Sequence, residues 1–181
     1  MLFRSRVLAT QGAILTLLVD AYQRRDRAGL ITFRETFAEV ILSPTVSIEK
    51  AKHAFEQIYI GGTTPLSAGL VAALAMIQEE LVRDPDLTPM LILITDGFPN
   101  IALGAMDPLQ ESLQIAQVFR ARSIASVVLD TEGGYTKSLL VFSSPGRAPE
   151  IAKALGAKYI PLGYIPQDAI LEALRAGPLM R

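Results

Sequence analysis

The run Met90-Leu91-Ile92-Leu93-Ile94-Thr95 is apolar at every position but its last, and it stops at Asp96-Gly97. A strand with one wet face alternates apolar and polar residues. A short continuous apolar run bounded by turn residues instead predicts a strand buried on both faces, as in a parallel sheet covered by helices. Ala125-Ser126-Val127-Val128-Leu129-Asp130 repeats the pattern and again ends in an acid. Parallel neighbours need a crossover between them, and a right-handed helical connection is the rule. These two runs therefore restrict the chain to an α/β arrangement, and they put Asp96 at the carboxyl end of a strand, where open α/β sheets bind ligands.

The remaining segments fill in that arrangement. Leu8, Leu15, Leu18 and Tyr22, with Ile14 and Val19 beside them, predict an amphipathic helix over 5–25. Two short runs follow, 28–33 and 38–42, close enough in sequence to pair antiparallel with the second at an edge. Ser43 to Ser47 reads as a break, and Ser47 as the N-cap of a helix to about Gln57. After Gly61-Gly62-Thr63-Thr64, Pro65 suits a first helical position, with Thr64 as N-cap and Leu66, Leu70, Ala73, Leu74, Ile77 and Leu81 on one face. Asp107-Pro108-Leu109-Gln110 is a capping signature that opens a helix to about Arg122. A helix near 147–155, a strand over 157–162 and a terminal helix from Pro166 to about Arg175 complete the chain. The expected fold is α/β and doubly wound: a mostly parallel sheet with helices on both faces and one antiparallel edge strand.

The chain has 181 residues, enough for one domain over 1–181 with a proper core. Half of them are hydrophobic and 19% are charged, which suits a sheet covered on both faces better than a solvated module. The formal net charge of -1 gives no general attraction to nucleic acid or anionic lipid. Arg24, Arg25 and Arg27 cluster, but Asp26 interrupts them, so they read as a solvated helix end. With no cysteine there is no disulfide, thiolate nucleophile or thiolate metal site. No apolar run approaches the roughly eighteen residues that span a bilayer, and the first residues lack the core of a signal peptide, so a cytoplasmic location is expected.

The residues that carry chemistry are Thr64 and Asp96. Magnesium takes oxygen ligands in near-octahedral geometry and keeps several waters, so one carboxylate, a few hydroxyls and an open position suit it. Taken alone, Thr64 reads more readily as a cap of its helix than as a ligand, and Asp130 reads as a strand-end cap rather than an outer-sphere acid. His53 has no partners nearby in sequence for a metal or a catalytic role and reads as an ordinary surface or boundary histidine. A nucleotide-binding enzyme is the competing class, with Gly61 to Thr64 cradling phosphate at a helix N-terminus. Against it, the stretch is not Gly-x-Gly-x-x-Gly, it follows a helix rather than a strand, and the chain has neither a P-loop nor a nucleophile elbow.

Gly61-Gly62-Thr63-Thr64-Pro65-Leu66 and Leu93-Ile94-Thr95-Asp96-Gly97, with Asn100-Ile101 following, resemble the von Willebrand factor A domain at the carboxyl end of the D subunit of magnesium chelatase. The resemblance extends through Ala21 to Asp26, Leu30 to Arg34, Leu42 to Thr45, Asp130 to Glu132 and Ile151 to Tyr159, and covers essentially the whole chain. It implies a Rossmann-like fold and a metal-ion-dependent adhesion site built from an Asp-x-Ser-x-Ser motif, a threonine and an aspartate. By motif match the threonine is Thr64 and the aspartate Asp96. The Asp-x-Ser-x-Ser motif has no counterpart here; in the family it closes the central first strand, and this chain begins at the helix that follows it. Met1 to Arg6, with Gly12-Ala13, reads as the continuation of that motif, so Met1 is expected to correspond to an internal methionine.

The resemblance further implies a metal-dependent protein-interaction module, not catalytic alone, that works with the ATPase subunit and the catalytic subunit of a chelatase inserting magnesium into protoporphyrin IX. A module of cobalt chelation or of another ATPase-coupled system is the near alternative. With two of the family's five protein ligands in the chain, magnesium is expected to bind weakly or not at all. A missing central strand leaves two rows of backbone donors and acceptors to be satisfied by rearranged strands, another chain or self-association through the exposed sheet edges.

Overall fold

A computed structural model describes residues 2–58, 61–132 and 146–162, with side chains from Thr10 onward. Helix α1 (Leu2–Arg24) begins three residues earlier than the periodicity predicts. Strands β1 (Ala28–Arg34) and β2 (Phe37–Thr45) form an antiparallel hairpin. Its turn is only Glu35-Thr36, with Glu35 at φ 56°. The expected break at Ser43 to Ser47 is corrected in part: β2 runs on through Ser43, Pro44 and Thr45. It can do so because among the described residues β2 pairs on one side only, where a residue without an N–H is tolerated, and because register shifts around Leu30 absorb the mismatch. Ser47 caps α2 (Ile48–Glu56) as expected, accepting from the Lys50 N–H at 3.3 Å.

Helix α3 (Leu66–Arg83) leads to β3 (Met90–Thr95), α4 (Pro108–Ala121), β4 (Ala125–Asp130), α5 (Ala148–Leu155) and β5 (Lys158–Pro161). β3, β4 and β5 form a parallel sheet in that order, with Thr95 opposite Asp130 at the carboxyl ends. Asp107 caps α4 through the N–H groups of Leu109 and Gln110, at 3.1 and 3.0 Å, as the capping signature predicts. The helix expected over 166–175 lies outside the described residues.

Two helices tie the hairpin to the parallel sheet. On one face α1 puts Ala13 and Leu17 on Val127, Leu129 and Ile160, and puts Leu18 on Leu30 and Leu42 of the hairpin. On the other, Leu66 and Leu70 of α3 join Leu93, Val128, Phe119 and Ile151 in the largest core cluster, against which Phe33 of β1 also packs. Gly69 permits this approach, since a Cβ there would lie 2.6 Å from the Phe33 ring. Yet among the described residues no ladder joins β1 to β3. The same pair of helices thus covers two pieces of sheet that no ladder joins among the described residues. Burial agrees: β4, paired on both sides, is buried from Ser126 to Asp130, whereas Leu91, Ile92 and Ile94 of β3 stay half-buried.

Candidate metal site

Asp96 leaves the end of β3 into a turn that its own side chain builds. Its Oδ1 accepts from the Phe98 N–H at 3.1 Å, and Thr95 Oγ1 accepts from the Gly97 N–H at 3.1 Å. Gly97 has φ 75°, and a Cβ on it would lie 2.4 Å from the Ala148 nitrogen. Its carbonyl accepts from the Arg147 N–H at 2.9 Å, so the start of α5 is laid directly on this turn. Only a glycine allows that backbone-to-backbone contact. The result is a half-buried carboxylate fixed at the carboxyl edge of the sheet.

Thr64 arrives from the opposite piece of sheet. The Thr63 hydroxyl donates to the Glu35 carbonyl at 2.6 Å, anchoring the glycine-rich loop on the β1–β2 turn. The Thr64 N–H donates to Asn100 Oδ1 at 2.7 Å, and the Asn100 N–H donates to the Thr64 carbonyl at 3.2 Å. This reciprocal bond joins the loop of Thr64 to the loop that Asp96 opens. The two stretches that the sequence singles out therefore meet, through a residue that sequence reasoning left out of the site.

The expected cap is corrected here. Pro65, not Thr64, is the N-cap of α3, at φ -79° and ψ 69°, and no side chain caps the helix. Because the ring of Pro65 fixes φ while its ψ is not yet helical, the helix starts one residue later than the spacing predicts. The Thr64 hydroxyl is thus not spent on the helix. Its N–H, in turn, is taken by Asn100, which removes one donor from the phosphate cradle that the competing nucleotide-binding reading requires.

Asp130 is closed to ligands. It is 3% exposed, its Oδ1 accepts from the Glu132 N–H at 2.9 Å, and its Oδ2 accepts from the Tyr159 hydroxyl at 2.6 Å. Burial, then that hydrogen bond and the charge of Asp130, push the Tyr159 phenol above its ordinary value. This is the strand-end role that the sequence suggests. His53 is exposed beside Gln57, at 3.0 Å, as expected of a surface histidine.

A second carboxylate near the loops escaped the sequence reading. Glu111 of α4 accepts from the Leu103 N–H at 2.7 Å and from the Gly104 N–H at 2.8 Å. The Ser67 hydroxyl beside it, then the Leu103 and Gly104 N–H groups, hold its carboxyl below the ordinary value against a partial desolvation cost. Ser67 is fully buried on the first turn of α3, and its hydroxyl has no hydrogen-bond partner among the described residues. Glutamate on a first helical turn gives no sequence signal of this contact, because it is also the commonplace partner of a helix dipole.

Hard oxygen donors of this kind fit magnesium in type, and Thr64 and Asp96 are the side chains that would hold it. They fall short in number: among the described residues no three His, Cys, Asp or Glu side chains gather as a metal cluster. A cleft of about 290 Å³ lined by Ile77, Leu81, Pro89, Arg122 and Ile124 opens at the other end of β3 and β4, away from these loops.

Residues 2–98 match the von Willebrand factor type A domain. The chain belongs to that family. Its relatives include the uncharacterized protein Rv2850c of Mycobacterium tuberculosis, 40% identical over 95% of this chain and 26% of that protein. The uncharacterized protein MJ0910 of Methanocaldococcus jannaschii is 32% identical over 94% of each chain. The magnesium-chelatase 67 kDa subunit of Chlorobaculum tepidum is 34% identical over 93% of this chain and 28% of its own length. This von Willebrand factor type A chain thus spans about a quarter of two of those relatives and nearly all of the third. Among solved structures, the conserved hypothetical protein BatB of Bacteroides thetaiotaomicron superposes with a TM-score of 0.64, covering 96% of this chain and 86% of that one at 18% identity, which bears on the fold alone. No helix among the described residues is long and apolar enough to cross a membrane.

Proposed function

We propose that this chain is a metal-dependent protein-interaction module of a magnesium chelatase D-type assembly, working beside an ATPase subunit and a catalytic subunit that insert magnesium into a porphyrin. The observation that carries the reading is the reciprocal Thr64–Asn100 bond, which sets a threonine left uncommitted by its helix beside the loop of Asp96. The relationship to named magnesium-chelatase subunits over most of this chain supplies the biological setting. A bound magnesium would supply a cation with coordination positions open to an acid from a partner. Asp96 and Thr64 would orient it, and the Asx turn at Phe98 would keep the carboxylate from swinging away. The role read for this edge is docking of a partner's acid.

The test is a pull-down of a chelatase ATPase subunit with this chain in the presence of magnesium, repeated with a chelator and with Asp96→Ala. Capture that needs magnesium and is lost in Asp96→Ala supports the reading. Capture indifferent to both overturns it. Calorimetric titration with magnesium is expected to show binding weaker than micromolar.

A second reading is a module of a different ATPase-coupled system, cobalt chelation included. It is favoured by the relative MJ0910, which matches over 94% of each chain and so is close to this chain in length rather than several times longer like the chelatase subunits. Capture of a different ATPase subunit in the same experiment, magnesium-dependent and lost in Asp96→Ala, supports it.

A further inference from the structure

The loop between β3 and α4 runs past the proposed site without regular structure from Asp96 to Asp107. From Leu103 to Asp107 burial does not hold it in place, since Leu103 is 55% exposed and Met106 42% exposed. What fixes its middle is one carboxylate: Glu111 takes the N–H of Leu103 on one oxygen and the N–H of Gly104 on the other. Charge-assisted bonds made in parallel are the stronger kind, and they set orientation as well as distance. Only two residues separate Leu103 from Asn100, so a fixed Leu103 tethers Asn100 within about 10 Å. Asn100 in turn holds both polar backbone groups of Thr64.

We propose that Glu111 is a positioning residue for the Thr64–Asp96 site: it clamps the loop on the first turn of α4, thereby placing Asn100 and, through Asn100, Thr64. The inference rests on the reading of Thr64 and Asp96 as a metal site. The competing role is local. A glutamate on the first turn of α4 also stabilises that helix through its dipole, and a purely local clamp would end at Gly104.

Hydrogen–deuterium exchange on the 181-residue chain separates the two, using Glu111→Ala and the milder Glu111→Gln. Loss of the carboxylate is expected to speed exchange at Leu103 and Gly104 by about tenfold or more, and to speed it comparably at the Thr64 amide. Glu111→Gln, with one acceptor left, falls between and keeps the test open where the alanine variant unfolds. Faster exchange at Leu103 and Gly104 with Thr64 unchanged overturns the proposal, as does unchanged exchange at all three. Manganese titration followed by electron paramagnetic resonance reads the metal separately. A wild-type chain that binds no manganese overturns the metal reading while exchange still reports whether Glu111 places Thr64. A wild-type chain that binds, with Glu111→Ala binding equally well, overturns the positioning role and leaves the metal reading standing.

Discussion

Asn100 and Thr64 hold each other through two hydrogen bonds, side chain to N–H at 2.7 Å and N–H to carbonyl at 3.2 Å, across 36 positions of sequence. The bond closes the distance between a loop anchored on the hairpin and a loop leaving the parallel sheet. Asn100→Ala removes the shorter of the two bonds and leaves the Thr64 N–H to water. It is expected to cost about 1 kcal/mol, and to speed exchange at the Thr64 amide while amides of β4 stay protected. Thr64→Ser keeps both backbone partners and is expected to leave that exchange unchanged.

Gly97 and Gly62 both have positive φ, 75° and 95°, but only Gly97 lies against other backbone. Gly97→Ala drives a Cβ toward the Ala148 and Arg147 nitrogens, so overpacking adds to conformational strain and the expected loss is about 3 kcal/mol. Gly62→Ala meets nothing within 4 Å and pays for strain alone, about 1 kcal/mol. Chemical denaturation of the two variants side by side checks the difference. Equal losses would mean that the α5 contact contributes nothing.

Glu80 is 4% exposed on α3, and Arg27 and Arg83 reach it from solvent at 2.6 and 2.7 Å. Glu80→Ala removes the partner of both arginines and opens a space in a buried position, for an expected loss of about 3 kcal/mol. Arg83→Ala leaves the Arg27 pair intact and removes a largely exposed side chain, with an expected loss below about 1 kcal/mol. Urea midpoints at constant slope measure both.

Burial of the Tyr159 phenol, together with its bond to Asp130, is expected to make stability fall at alkaline pH. The folded chain holds the phenol proton above its ordinary value of 10, so the native state binds more protons than the unfolded one as pH rises past that value. The stabilisation is complete below pH 10 and is lost as pH rises toward the folded value. Tyr159→Phe is expected to flatten the alkaline limb of the stability profile. At neutral pH the same variant leaves buried Asp130 with one donor fewer, at a cost of about 1–3 kcal/mol. Thermal melts between pH 7 and 11 test both effects.

The parts of the fold legible in sequence are those whose signal is local. Continuous apolar runs marked β3 and β4 because a strand covered on both faces has no polar position to show. Ser47 and Asp107 announced their helices because a capping side chain bonds N–H groups only three residues away or fewer. The extension of β2 through Pro44 was not legible, since proline is excluded from a strand only where both edges are paired, and that depends on the neighbours. Glu80 reads as one more polar residue of a helix until Arg27 arrives from the α1–β1 connection.

By itself the sequence determined the α/β order, the carboxylate at the end of β3, the hydroxyl-bearing loop ahead of α3 and, through its motifs, the von Willebrand factor A likeness. Tertiary structure decided what those residues are free to do. It moved the cap of α3 from Thr64 to Pro65, locked Asp130 to Tyr159, and joined Thr64 to the Asp96 loop through Asn100. The reason is one of range: helix and strand patterns repeat over a few residues, whereas a site at a sheet edge is assembled by single hydrogen bonds between loops that lie far apart in the chain.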